Sequence, residues 1–197
     1  SLVVADLTEA DLTEADLTEA DLTGTILDGV DLSSLDLAPL DLTGANLTGA
    51  IFVGADLPST HLAGLARNGA DLFGVDLSSE DLSGADLMVM PLARANLSKA
   101  NLSEANLAYS NLPGADLTSA NLRGADLTGA DLTWADLAWA DLTGADLSSA
   151  DLTSADLASA NLTGADLTGA DLKEAYLRGT DLTSANLRGA DLTGEIG

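Results

Sequence analysis

The side chains able to do chemistry in this chain are almost all carboxylates: 32 Asp and Glu, against 7 Lys and Arg and one histidine. Cysteine is absent, so no thiolate nucleophile, thiolate metal site or disulfide can form. His61 stands alone in THLAG. A lone histidine without cysteine partners makes a poor metal site, and it reads as a surface replacement for Asp. Paired carboxylates can act as acid and base, but here they recur every five residues and single out no position. No nucleophile–base pair, phosphate loop or calcium-binding nonapeptide accompanies them. The expectation is a protein that is not an enzyme, with no cofactor and no metal.

Charge and composition narrow the partners. The formal net charge is −25, the opposite of the basic footprint that direct nucleic-acid binding needs. It also disfavours an anionic membrane surface. No apolar run is long enough for a transmembrane helix, and no signal-peptide core is present. A cytoplasmic location is therefore the expectation, although Ser1 in place of Met leaves room for a removed leader. Aromatics make up 3% of the chain while hydrophobic residues reach 46%, nearly all Leu and Ala. A core built from them must be regular rather than a mosaic of large rings.

The elements that position these residues are announced between Ala115 and Gly169, in ADLTS ANLRG ADLTG ADLTW ADLAW and their continuation. From Leu2 to Leu192 a central residue recurs every five positions, 39 times, and it is Leu except at Phe52 and Arg67. An α-helix advances about 500° in five residues, so these leucines would scatter over every face. A long strand fails as well, because an odd period flips successive leucines to opposite sides. A short extended piece followed by a bend satisfies the pattern. Ala and Leu, two apart, then point inward, Asp and Thr point outward, and the fifth residue turns the corner. Glycine suits that corner if φ is positive there.

Corner glycines suggest how many bends close a coil. Gly24, Gly44, Gly64, Gly84, Gly124, Gly144 and Gly164 share one phase of twenty, whereas the phase containing Glu19, Pro39 and Ser59 holds only Gly179. Four units per coil follow. At a spacing of ~4.8 Å the chain makes roughly ten coils and a rod about 45 Å long.

The ADLTG and ANLRG units resemble the pentapeptide-repeat proteins, over essentially the whole chain. The resemblance implies an all-β fold: a right-handed quadrilateral parallel β-helix, a solenoid with four pentapeptides per coil. It also implies diverse functions. Some members act as DNA mimics that bind DNA gyrase and protect it from quinolones.

One solenoid over 1–197 is expected, least regular at 58–92. Between Thr25 and Leu40, Thr25, Val30, Leu35 and Leu40 fill the inward small site normally held by Ala, which should widen or distort the coil at that point. Arg67 occupies a centre, where a buried unpaired charge would be very costly. A local bulge frees it to water, or it pairs with Glu80. Because the glycine columns agree in phase on both sides, Leu65 to Gly69 is expected to count as one side. Outward carboxylates stacked ~4.8 Å apart repel by ~0.9 kcal/mol even in water. Bonding to turn amides offsets part of this, and Asn96, Asn101, Asn106 and Asn111 thin the charge.

Candidate partner-binding residues are Arg67, Tyr109, Trp134 and Trp139, the two tryptophans at neighbouring corners. Neither end of the array carries an evident cap, which repeat rods normally need. End-to-end pairing is expected through Leu2, Val3 and Val4 or through Leu192 and Ile196, giving a homo-oligomer. The leading functional reading is a non-catalytic acidic scaffold that binds protein. Its alternatives are a DNA mimic for the basic surface of gyrase or another topoisomerase, and a designed or consensus-derived array without natural function. Spread over ~45 Å, the net charge approaches the one charge per ~1.7 Å of duplex DNA. An ice- or crystal-binding face from Thr128, Ser148 and Thr168 is remote, since Arg123, Arg178 and Arg188 interrupt the outward ladders.

Overall fold

The computed structural model describes residues 4–8, 10, 12, 15, 17, 20–33, 35, 37, 40, 42, 44–52 and 72–196. Among them there is no helix and no extended strand. Each described unit instead contributes one bridge residue, usually the Asp or Asn before the central Leu, and every bridge is parallel. Asp76, Asn96, Asp116, Asp136, Asp156, Tyr176 and Ile196 form one such column, each twenty residues after the last. Three sister columns run through Asp81, Asp86 and Pro91. Four columns over a twenty-residue repeat make a four-sided coil.

Why these residues make this wall is visible in where the backbone N–H groups go. In the unit Ala115–Ser119, Asp116 N–H donates back to Ala95 O at 2.9 Å, and Leu117 N–H donates forward to Asp136 O at 2.7 Å. Ser119 N–H donates to Ala138 O at 2.9 Å, and Ala115 N–H closes a turn on Leu112 O at 3.0 Å. The remaining donor, Thr118 N–H, goes to Asp116 Oδ1 at 2.9 Å. The outward carboxylate thus satisfies the one amide that neighbouring coils do not. Asn does the same through its carbonyl oxygen, as Thr163 N–H donating to Asn161 Oδ1 at 3.0 Å shows.

The corner residue, two after the central Leu, has φ between 56° and 76° at every described corner where φ is positive. With positive φ confined to the third of the four turn residues, the bend is a type II turn. Glycine adopts this without a steric cost, yet Ser79, Lys99, Glu104, Trp134 and others occupy the same conformation. Inside, the central leucines from Leu87 to Leu172 are fully buried and the inward alanines nearly so. Each such Leu contributes ~1.5–3 kcal/mol before chain entropy is charged against it. Inward polar residues are rare and bonded: Ser110 Oγ donates to Leu107 O at 2.7 Å.

Two expectations change. First, the larger inward residues do not alter the repeat. Thr25, Val30 and Leu40 are buried and Leu35 is half-buried, while Asp6–Ile26–Asn46 and Asp31–Ile51 keep the twenty-residue spacing. Second, the glycine columns do not keep their phase. Ile51 bridges Asp76, and Gly49 N–H donates to Phe73 O at 2.6 Å, so this coil takes twenty-five residues. Gly49 therefore stacks under Gly74 rather than continuing the phase inferred from sequence. Five residues is the smallest step by which a coil can lengthen without moving a Leu off the inner wall. Arg67, His61 and Leu65–Gly69 lie outside the described residues. From Leu72 through MVMPL the wall is regular again, with Met90 buried and Glu80 half-buried at the inward site.

Candidate protein-binding face

The corners carry the side chains that vary, and their direction follows one rule. A corner side chain leans toward the coil twenty residues later. A methyl built on Gly129 would stand 2.7 Å from the Tyr109 ring, one on Gly124 would stand 2.5 Å from Glu104 Oε1, and one on Gly114 would stand 3.7 Å from Arg94 Cγ. Val4 over Gly24 and Glu174 over Gly194 repeat the arrangement. Arg94, Lys99, Glu104, Tyr109 and Glu174 are each followed at i+20 by Gly or Ser, while Val89 is followed by Tyr109. Trp134 and Trp139 are followed by Ser as well. Twenty residues later stand Ser154, buried, and Ser159, half-buried, whereas the corner serines Ser79, Ser119, Ser149 and Ser184 are exposed.

Trp134 and Trp139 occupy successive corners of one coil and are 70% and 68% exposed, so neither is a core residue. They flank the side carrying Asp136, with Asp156 below it in the same column. On most sides a Ser or Thr follows the central Leu, and several donate a hydroxyl to the Asp, as Thr143 does to Asp141 and Thr168 to Asp166. Here that position is Ala138 and Ala158. Asp136 and Asp156 accept the backbone N–H of these alanines at 3.0 and 2.9 Å, with no hydroxyl two residues on to share the carboxylate. Two coils before the tryptophans, the same two corners hold Arg94 and Lys99, with Asn96 in place of Asp between them.

Beside this face, a groove of about 340 Å³ runs along the Arg94–Trp134 corner, lined by Phe73, Ala93, Arg94, Pro113, Gly114 and Trp134. The Arg94 guanidinium lies 5.7 Å from the Phe73 ring centroid, within cation–π range. Tyr109 is on the corner one side before, 59% exposed, its ring reaching the coil from which both indoles project.

The carboxylate columns are wired in three ways. Asn side chains donate along them: Asn101 Nδ2 to Asp81 Oδ1 at 2.9 Å, Asn121 Nδ2 to Asn101 Oδ1 at 2.9 Å, and Asn186 Nδ2 to Asp166 Oδ1 at 3.2 Å. Cations bridge neighbouring coils: Arg123 pairs with Asp141 at 3.1 Å, and Lys173 sits 2.5 Å from Asp171 and 3.3 Å from Asp191. Hydrogen bonds from Ser83, Thr168 and Thr183 hold Asp81, Asp166 and Asp181 below the usual carboxylate range. At Asp141 desolvation pushes up, but bonds from Thr143 and Arg123 outweigh it and the net shift is down. The Asp171 and Asp191 carboxylates raise Lys173.

Of the residues singled out from sequence, the structure brings Trp134 and Trp139 to one face and Tyr109 to its neighbour. Val4 is a 74%-exposed corner at one end, while Leu192 is half-buried and Ile196 47% exposed at the other. Leu2 and Val3 lie outside the described residues. Sequence reading missed Ala138, Ala158, Ser154, Ser159, Phe73 and Arg94. Their signal is the residue twenty positions away, which is legible only once the coil length is known. Among the described residues, no group of three His, Asp or Glu is arranged to hold a metal ion.

The repeat is also recognised by comparison with known proteins. The family model for pentapeptide repeats matches in eight copies, over residues 5–38, 41–78, 95–133, 130–169 and 160–194. No curated protein matches. Among solved structures, the chain is 36% identical to HetL, a pentapeptide repeat protein involved in heterocyst differentiation regulation from the cyanobacterium Nostoc sp. strain PCC 7120. That match covers 87% of this chain and 84% of HetL, with a TM-score of 0.31. It is 43% identical to alr5209, a pentapeptide repeat protein from Nostoc, over 52% of this chain and 84% of that one, with a TM-score of 0.44. It is 21% identical to QnrB1, a plasmid-mediated fluoroquinolone resistance protein, over 87% and 72% of the two chains, with a TM-score of 0.43. With the repeat matched along most of its length and its coils bridged every twenty residues, this chain belongs to the pentapeptide-repeat family.

Proposed function

We propose that this protein is a non-catalytic acidic scaffold, a right-handed four-sided solenoid whose sides bind a basic protein surface. One observation carries the reading: the outward carboxylates are fixed by the backbone. Asp116, Asp126, Asp136 and Asp146 each accept an N–H two residues on, at 2.9–3.0 Å. They stand at the same place on successive coils, interrupted in each column by Asn or another residue, so negative charge is displayed at a set spacing along the wall. Such a field draws a cationic partner and sets its register. The test is retention of purified basic DNA-binding proteins on immobilised protein at low salt. Release by duplex DNA or by about 500 mM salt is expected. Failure to retain any basic protein removes the reading.

The sharper form is a DNA mimic for DNA gyrase, supported by the net charge of −25. Micromolar protein should then inhibit supercoiling or protect gyrase from a quinolone. An unchanged assay removes gyrase while leaving other basic partners.

A further inference from the structure

Resting on that protein-binding reading, we infer that the side between Trp134 and Trp139 is the docking point, and that it takes an arginine-bearing segment of a basic protein, the guanidinium lying against indole and paired with Asp136 and Asp156. Exposed tryptophan is the first argument. Both rings stand in solvent at corners whose backbone φ is 61° and 63°. A bulky side chain is disfavoured there, and Ser or Gly holds the equivalent place on neighbouring coils. These residues add little to the core, so the fold does not account for them. Large aromatic rings left in solvent side by side on one coil point to binding.

The second argument is the floor. Ala138 and Ala158 replace hydroxyl residues between the indoles, so the surface is low and Asp136 and Asp156 share no side-chain hydroxyl. An exposed carboxylate beside an indole face suits arginine better than lysine, because the planar guanidinium stacks and bonds at once. The third argument is polarity along the rod. Arg94 and Lys99, two coils earlier on the same corners, disfavour further cations there and match an acidic residue in the partner. The occupant is thus a segment with arginine toward the tryptophans and a carboxylate toward Arg94, which fixes its direction. Charge complementarity with a chain of net charge −25 selects a basic protein over a second copy.

The chain contains two tryptophans, so their fluorescence reports on this side alone. The probe is a labelled oligo-arginine peptide of about eight residues, followed by anisotropy and by indole emission. Expected are saturable binding with a change in indole emission and tighter binding of arginine than of the matched lysine peptide. Trp134→Ser with Trp139→Ser, which copies native corners, and Asp136→Asn with Asp156→Asn should each weaken binding about tenfold. Asp126→Asn with Asp146→Asn changes net charge equally on another column and should weaken it less than about threefold. Circular dichroism verifies that each variant folds. If both Asp pairs weaken binding equally, or the serine variant binds as the parent does, the peptide reads only the general field and this inference falls while the scaffold reading stands. If no basic peptide or protein binds, both fall.

Discussion

The stack before Phe52 and the stack after Leu72 use the same wall with different fillings. After Leu72 the inward small site is Ala on nearly every side, with Val75, Glu80, Met90, Ser110 and Thr180 as exceptions. Before Phe52 it takes Thr25, Val30, Leu35 and Leu40 in succession. Both regions nevertheless keep parallel bridges twenty residues apart. Coil length is therefore set by the hydrogen-bond ladder and the type II corner, and interior volume adjusts to it. The count changes between Ile51 and Asp76, which bridge across twenty-five residues.

The largest effect should come from a charged centre placed in the uniform stack. Leu127→Arg places an unpaired charge at a fully buried centre. Destabilisation of about 3–5 kcal/mol is expected, read as loss of the folded baseline in thermal circular dichroism. An unchanged melting curve would show that a regular coil tolerates a charge at its centre.

Exchanging fillings tests the comparison next. Leu40→Ala empties a site that is 2% exposed and should cost about 2–5 kcal/mol. Ala130→Leu overfills its counterpart and should cost about 1–3 kcal/mol. Urea denaturation of each variant checks the order; equal and negligible costs would mean the two interiors are interchangeable.

Corners come third. Gly144→Ala meets nothing within 4 Å and bears only the positive φ of 68°, about 1 kcal/mol. Gly129→Ala meets the Tyr109 ring as well and should lose about 1 kcal/mol more. Adding Tyr109→Ser should recover that excess in a double-mutant cycle.

The smallest effect is electrostatic. Asp81, Asp166, Asp181 and Asp191 have folded-state pKa values below the ordinary carboxylate value of 3.8. Their contribution is complete above that value and is lost as pH falls through the depressed folded values. The melting temperature should therefore decline below about pH 4. Lys173, raised above its model-compound value of 10.5, stabilises below that pH and loses its contribution as pH rises through the raised value. A melting temperature that climbs steadily on acidification would mean relief of carboxylate repulsion outweighs the lost bonds.

Much of this was legible in single residues. Leu117 and Ala115, two apart, had to face one way, and both are buried. Asp116 was expected to bond a turn amide and bonds Thr118 N–H. Gly129 was expected to turn a corner and has φ of 63°. The join was not legible: a five-residue frame is unbroken whether a coil has four sides or five.

By itself the sequence determined the wall: a period of five admits no helix and no flat strand, and it dictates which side chains enter and which bend. Only the tertiary structure decided where the twenty-residue register lengthens. Stacking is set by hydrogen bonds between coils, whose partners lie nineteen or twenty-one residues away in the regular stack and twenty-four or twenty-six at the join, and a five-residue repeat reads the same with either.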